Sequence, residues 1–184
     1  MYTIFFPWAL THFFNFGKLT LLILLNYLFI CYYKLKFELG VENLKIVVID
    51  GQGGKMGKMI VEQLKATLPQ YQLIAIGTNS IATSAMLKAG ADFGATGENP
   101  VIYNCADADI IIGPLGIIVA NALMGEVTPS MAVAIGQSKA QKILIPINKC
   151  NNRVVGVQDL SYREYIELAV EQVNEIIENE ELPC

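Results

Sequence analysis

The sequence predicts an α/β protein in three layers, a mainly parallel β-sheet with helices on both faces. Two observations carry this. Short apolar, β-branched runs alternate with amphipathic runs along the chain from Leu44 onward, so strand and helix follow each other in turn. The first apolar run, Lys45 to Asp50 (KIVVID), enters a turn with three glycines in four positions, Gly51-Gln52-Gly53-Gly54. Gly57 follows as a helical pattern begins, so the segment reads as buried strand, tight turn and helix N-terminus.

The remaining elements follow in order. Met56 to Leu68 places apolar residues on one helical face and Pro69 stops it. Gln72 to Gly77 reads as a second strand, Thr78-Asn79-Ser80 as a polar loop, and Ile81 to Lys88 as a helix ended by Gly90. Asp92 to Ala95 suits a short third strand. Asn99 as N-cap with Pro100 at the first helical position predicts a helix there, with a strand over Val101 to Cys105 as the alternative. Asp109 to Gly113 (DIIIG) is a buried strand, and Ile117 to Met124 a nearly all-apolar helix with Gly125 as its C-cap. Thr128-Pro129 opens a helix reaching about Ala140. Lys142 to Ile147 is a strand whose Pro146 marks a position near an edge. Arg153 to Val157 is predicted as a last short strand, and Ser161-x-x-Glu164 is a capping box for the final helix.

Composition narrows the function. The chain has 184 residues and a net charge of −4, with no basic cluster interleaved with aromatics, which argues against nucleic acid as a partner. Cys31, Cys105, Cys150 and Cys184 form no C-x-x-C pair, and His12 is the single histidine. Neither a disulfide framework nor a metal site is expected, and reduced thiols in a cytosol are the default.

Residues 1–43 are unlike the predicted domain at 44–180. The apolar run Leu19 to Tyr33, closed by Lys18 and Lys34, is shorter than the about 20 residues a membrane span needs. Three readings are open: a mis-set translation start, a membrane anchor within residues 13–33 that keeps the domain cytoplasmic, or a packed or disordered tail. The expected location is the cytoplasm, with a membrane partner if the segment is genuine.

Gly51-x-Gly53-Gly54-x-x-Gly57 is a variant of the dinucleotide fingerprint with its last glycine one position late. Bare main-chain amides at a helix N-terminus suit a phosphate, although such a turn can also serve packing alone. It is not a P-loop, since Gln52 and Met59 stand where a glycine and a hydroxyl residue belong. The second strand ends in Thr78-Asn79 where NAD-type domains place an acid for the ribose, leaving the cofactor open, NAD(P) being the first candidate. Asp50 is expected to brace the turn through the glycine amides. Glu98 is the best carboxylate for a site, with a solvated surface role as the alternative, and Lys149 and Cys150 follow a strand end. The apolar stretches 117–124 and 131–135 are core or a homodimer surface.

The segments Asp50-Gly51-Gln52-Gly53-Gly54, Gly77-Thr78-Asn79, Ala95-Thr96-Gly97-Glu98-Asn99, Ile112-Gly113-Pro114 and Ile145-Pro146-Ile147-Asn148 together resemble a family of short bacterial proteins, domain of unknown function number 3842. The likeness spans about residues 44 to 177. It implies the fold but no activity, and family members beginning at the first strand favour the mis-set start. Gly51 to Gly57 alone is similar to the nicotinamide-binding turn of dihydrodipicolinate reductase, whose second domain, catalytic histidine and ribose-binding acid have no counterpart here. The sequence therefore predicts a Rossmann-like domain binding a small phosphate-bearing ligand. Asp50, Gly51, Gln52, Gly53, Gly54 and Gly57 would lie at the phosphates and Thr78, Asn79 and Glu98 at the sugar or base, with Gly116 and Asn148 at the rim. The rivals are an NAD(P)-dependent oxidoreductase completed by dimerisation, and a structural partner that keeps the turn for packing.

Overall fold

The structure, a computed structural model, describes residues 44–146 and 152–179. The expected extension 1–43 and the loop residues Asn148, Lys149 and Cys150 lie outside the described residues.

Five strands form one sheet: β1 (Ile46–Asp50), β2 (Leu73–Gly77), β3 (Phe93–Thr96), β4 (Ile110–Pro114) and β5 (Gln141–Ile145). Their order is β3-β2-β1-β4-β5 and every pairing is parallel. Five α-helices occur among the described residues: α1 (Lys55–Thr67), α2 (Ser80–Lys88), α3 (Glu98–Cys105), α4 (Pro129–Gln137) and α5 (Tyr162–Glu178). The chain runs outward from β1 through β2 to β3, then returns across the sheet to β4 beside β1. The strand order therefore reverses between β1 and β4, where open parallel sheets form a crevice at their carboxyl ends.

The side-chain period of a strand places this sheet between two cores. Ile46 and Val48 of β1 join a cluster with Ile60 and Leu64 of α1, Met86 of α2 and Val170 and Val173 of α5. Val47 and Ile49 point the other way, into a cluster with Val101 of α3 and Met131 and Ile135 of α4. All five residues of β1 are buried, and each of its Val and Ile side chains contributes roughly 1.5–3 kcal/mol on leaving water. β4 packs so closely beside β1 that a Cβ on Gly113 would collide with the Ile49 carbonyl oxygen. Gly113→Ala is expected to cost about 1–3 kcal/mol as backbone is forced from backbone. A urea titration that leaves the midpoint unmoved would contradict this.

Three local expectations need correction. Helix α3 starts at Glu98, not Pro100, because Gly97 takes the N-cap position at φ 99°, open to glycine but costly for other residues. The run 117–124 is not a helix. It forms short 3₁₀ turns at Leu115–Ile118 and Leu123–Gly125, joined by a tight loop. A helix apolar all round needs burial all round. Here Ile117 is buried, while Met124 is 96% exposed. The loop instead satisfies its own backbone, with Asn121 N–H donating to the Val127 carbonyl and Val127 N–H to that of Ala122. Finally, residues 153–157 form no strand. A turn forms at Val155-Gly156 and Val155 is fully exposed, so β5 remains the sheet edge next to Pro146. The capping box is present, with Ser161 Oγ accepting from Glu164 N–H and the Glu164 carboxylate accepting from Ser161 N–H.

Candidate functional site

The turn after β1 is held from beneath by Asp50. Its two carboxylate oxygens accept from the Gly51 N–H at 2.8 Å and the Gly57 N–H at 2.7 Å. Burial pushes the Asp50 carboxyl above its usual range, against the lowering effect of the Gly57, Gly51 and Met56 amides. With both oxygens taken, Asp50 braces the turn and the start of α1 rather than facing a guest. Gly57 is a packing position, since a Cβ there would lie 2.7 Å from Asp50 Cβ. Gly54 sits at φ 67° against α2, with Ala82 Cα 2.6 Å from where its Cβ would be. Gly53 differs, for nothing lies within 4 Å of its Cβ position.

A cleft of about 610 Å³ opens over this turn at the crevice between β1 and β4. Its floor comprises Asp50, Gly51, Gln52, Gly53 and Gly54, and Pro114 and Gly116 border it from β4. Met56 and Met59 of α1 and Tyr162 of α5 form one wall. The loop Asn121 to Met124 forms another. Lys55 also lines the cleft, with its ammonium 5.7 Å from the centroid of the Tyr162 ring. No protein acceptor meets the N–H of Gly53 or Lys55 among the described residues. These donors and the positive end of α1 favour an anion.

The other side of the turn is filled by the chain itself. Glu126 Oε2 accepts from the Gln52 N–H at 2.7 Å, the Thr78 hydroxyl at 2.5 Å and the Asn79 amide at 2.9 Å. Burial raises the Glu126 carboxyl, but these hydrogen bonds outweigh it and hold the group below its usual range. Asn79 also caps α2 through its side-chain oxygen, which accepts from the Ile81 and Ala82 amides. Thr78 and Asn79 thus lie off the cleft wall, engaged with Glu126. Glu98 stands elsewhere again, accepting from the Thr128 hydroxyl that caps α4. Of the residues expected at the site, Asp50, Gly51, Gln52, Gly53, Gly54 and Gly116 border the cleft. Asn148 lies outside the described residues.

Lys55, Met56, Met59, Tyr162 and the Asn121–Met124 loop were not foreseen. The loop is distinctive in backbone, with Asn121, Leu123 and Met124 all at positive φ. The sequence carries no signal for that, because Leu and Met do not favour the left-handed region. Glu126 was missed as well, since it reaches the turn from 74 residues away. Among the described residues there is no cluster of three His, Cys, Asp or Glu side chains that could hold a metal, and no helix long and apolar enough to cross a membrane. Burial pushes the Cys105 thiol up to about 11, so it remains protonated at neutral pH.

An all-parallel sheet of this order, with helices on both faces and a cleft where the order reverses, defines a Rossmann-like α/β domain. The chain belongs to the family described as domain of unknown function (DUF3842), which matches residues 45–178. No curated protein matches it significantly. Among solved structures, it is similar to a dodecameric FMN-dependent UbiX-like decarboxylase from Escherichia coli O157:H7. The identity is 16% and the TM-score 0.38, over 71% of this chain and 76% of that one. A likeness at that level is one of general topology and says nothing of ligand, activity or assembly.

Proposed function

We propose that this domain binds a nucleotide or a closely related phosphate-bearing ligand in the cleft between β1 and β4. The observation that carries the proposal is Gly53, whose open Cβ position and unengaged N–H lie on the cleft floor at the start of α1. The phosphate would rest on the Gly53 and Lys55 amides, with the Lys55 ammonium at the mouth. Gly51, Gly54 and Gly116 border the cleft, and Asp50 keeps the turn in shape. The cleft is within the roughly 300–1,000 Å³ typical of small-molecule sites, and the methionines and Tyr162 offer apolar walls for a ring. Thr78, Asn79 and Glu98 have no direct part in this arrangement. A cytoplasmic, ligand-sensing or subunit role fits the proposal, and a homodimer is compatible with it.

Thermal-shift titration of the protein with AMP, ATP, GTP, FMN, NAD(H) and NADP(H) tests the reading. A true ligand at a hundred times its Kd adds about 2.7 kcal/mol, which raises Tm by roughly 5–10 °C for a domain of this size. Absence of a shift with every one of them at millimolar concentration would remove the proposal. A shift with NAD(P)H, together with absorbance change on adding a carbonyl substrate, would move the reading to an oxidoreductase.

A further inference from the structure

The glycine turn has two flanks, one toward β2 and one toward β4, and they differ in kind. A dinucleotide lying across such a crevice places one nucleoside on each flank, with its two phosphates over the turn. On the β4 flank the cleft is open, and its walls include Met56, Met59, Pro114 and Tyr162. On the β2 flank there is protein. A Cβ added to Gly51 would lie 2.6 Å from Leu123 Cδ1, 2.6 Å from Thr78 Oγ1 and 2.9 Å from Glu126 Oε2. The Gln52 N–H, a donor a second phosphate would need, is already bound to the Glu126 carboxylate. That carboxylate is fixed by Thr78 and Asn79, the residues at the end of β2 where a ribose would otherwise be met. A second phosphate there would lose a donor and meet a like charge, and its nucleoside would collide with Leu123.

We propose that Leu123 and Glu126 close the β2 flank and so restrict the site to monophosphates: a single phosphate on a sugar or polyol that carries one planar ring, with dinucleotides excluded. This rests on the nucleotide reading above. The ring lies on the β4 flank against the methionines, and the one phosphate uses the Gly53 and Lys55 amides. Specificity then comes from two residues that precede α4, not from the strand end that serves the purpose in NAD-type domains.

The test is calorimetric titration of the full chain with two matched pairs, AMP against NAD⁺ and FMN against FAD. Each dinucleotide carries the nucleoside or flavin portion of its partner, but its phosphate is bridged and bears one charge fewer. The change of ratio in a variant of the β2 flank, and not the wild-type ratio alone, therefore isolates the added half. The expected result is that at least one monophosphate binds, tenfold or more tighter than its dinucleotide. In Leu123→Ala/Glu126→Gln that ratio should shrink to about threefold or less, with far-ultraviolet circular dichroism checking that the variant folds. If that variant does not fold, Leu123→Ala alone takes its place, with the same narrowing of the ratio expected. Equal or tighter binding of NAD⁺ or FAD overturns this inference and leaves the nucleotide reading standing. Silence from all four compounds overturns this inference, and silence from the whole thermal-shift panel overturns the nucleotide reading with it.

Discussion

Gly53→Val is expected to weaken nucleotide binding on the order of a hundredfold or more, the equivalent of about 2.7 kcal/mol, with the unliganded protein folded as before. A Cβ here meets no protein atom within 4 Å beyond its chain neighbours, so a branched side chain has open space to enter. Gly53 is also exposed and outside the left-handed region, so the unliganded Tm should stay within about 2 °C of wild type. The branched side chain would stand between the main-chain amides and the phosphate, turning open donors into covered ones. Gly54 supplies the contrast. A Cβ there meets the α2 backbone at 2.6 Å in a left-handed residue, so Gly54→Val should lose stability and binding together. Titration of both variants separates the two kinds of glycine. Wild-type affinity in a folded Gly53→Val protein would remove the turn from the binding site.

Asp50→Ala is expected to cost roughly 2–5 kcal/mol, since it strands two buried N–H groups, each at about 1–3 kcal/mol. Gly51 and Gly57 are both buried and no other acceptor is bonded to either amide among the described residues. Asp50→Asn keeps one acceptor oxygen and should cost less. The two variants also differ from wild type in their response to pH. Burial raises the folded-state pKa of Asp50 above its unfolded value near 3.8, so the folded protein holds this proton more tightly. Stability from the group is then fully present below about pH 3.8 and is lost as pH climbs through the folded value. Wild type should therefore lose ground against Asp50→Asn as pH rises from about 4 toward 7. Asp92 and Glu126 are shifted downward and act in the opposite sense. Asp92 is common to both proteins and cancels in the difference, while the Glu126 charge is itself among the causes that raise Asp50. Urea unfolding across that range reads the comparison. A constant difference would mean that the buried carboxylate titrates as it does in the unfolded chain.

Much of the fold was legible because its strands are covered on both faces. Ile46 to Ile49 and Ile110 to Ile112 are fully or almost fully buried, and such runs stand out in any sequence. The helices that begin at Thr128 and Ser161 were equally clear, since a hydroxyl accepting from the third amide onward is a local interaction. The stretch 115–128 was not legible. Its conformation depends on which side chains find room on the sheet, and on Glu126 reaching Gln52, Thr78 and Asn79 from the far side of the strand-order reversal. Propensity reads neighbours along the chain, and none of those partners is one.

Local chemistry thus settled most of the elements, the parallel sheet and the glycine corner after β1, because burial pattern, capping and turn residues act over a few positions. Long-range packing settled what surrounds that corner. It placed a carboxylate on one amide and left another uncovered, spent Thr78 and Asn79 internally, and brought Lys55 and Tyr162 together at the cleft. Hydrogen bonds and steric occupancy depend on atoms a few ångströms apart in space, and in a chain that doubles back across its own sheet those atoms belong to residues far apart in sequence.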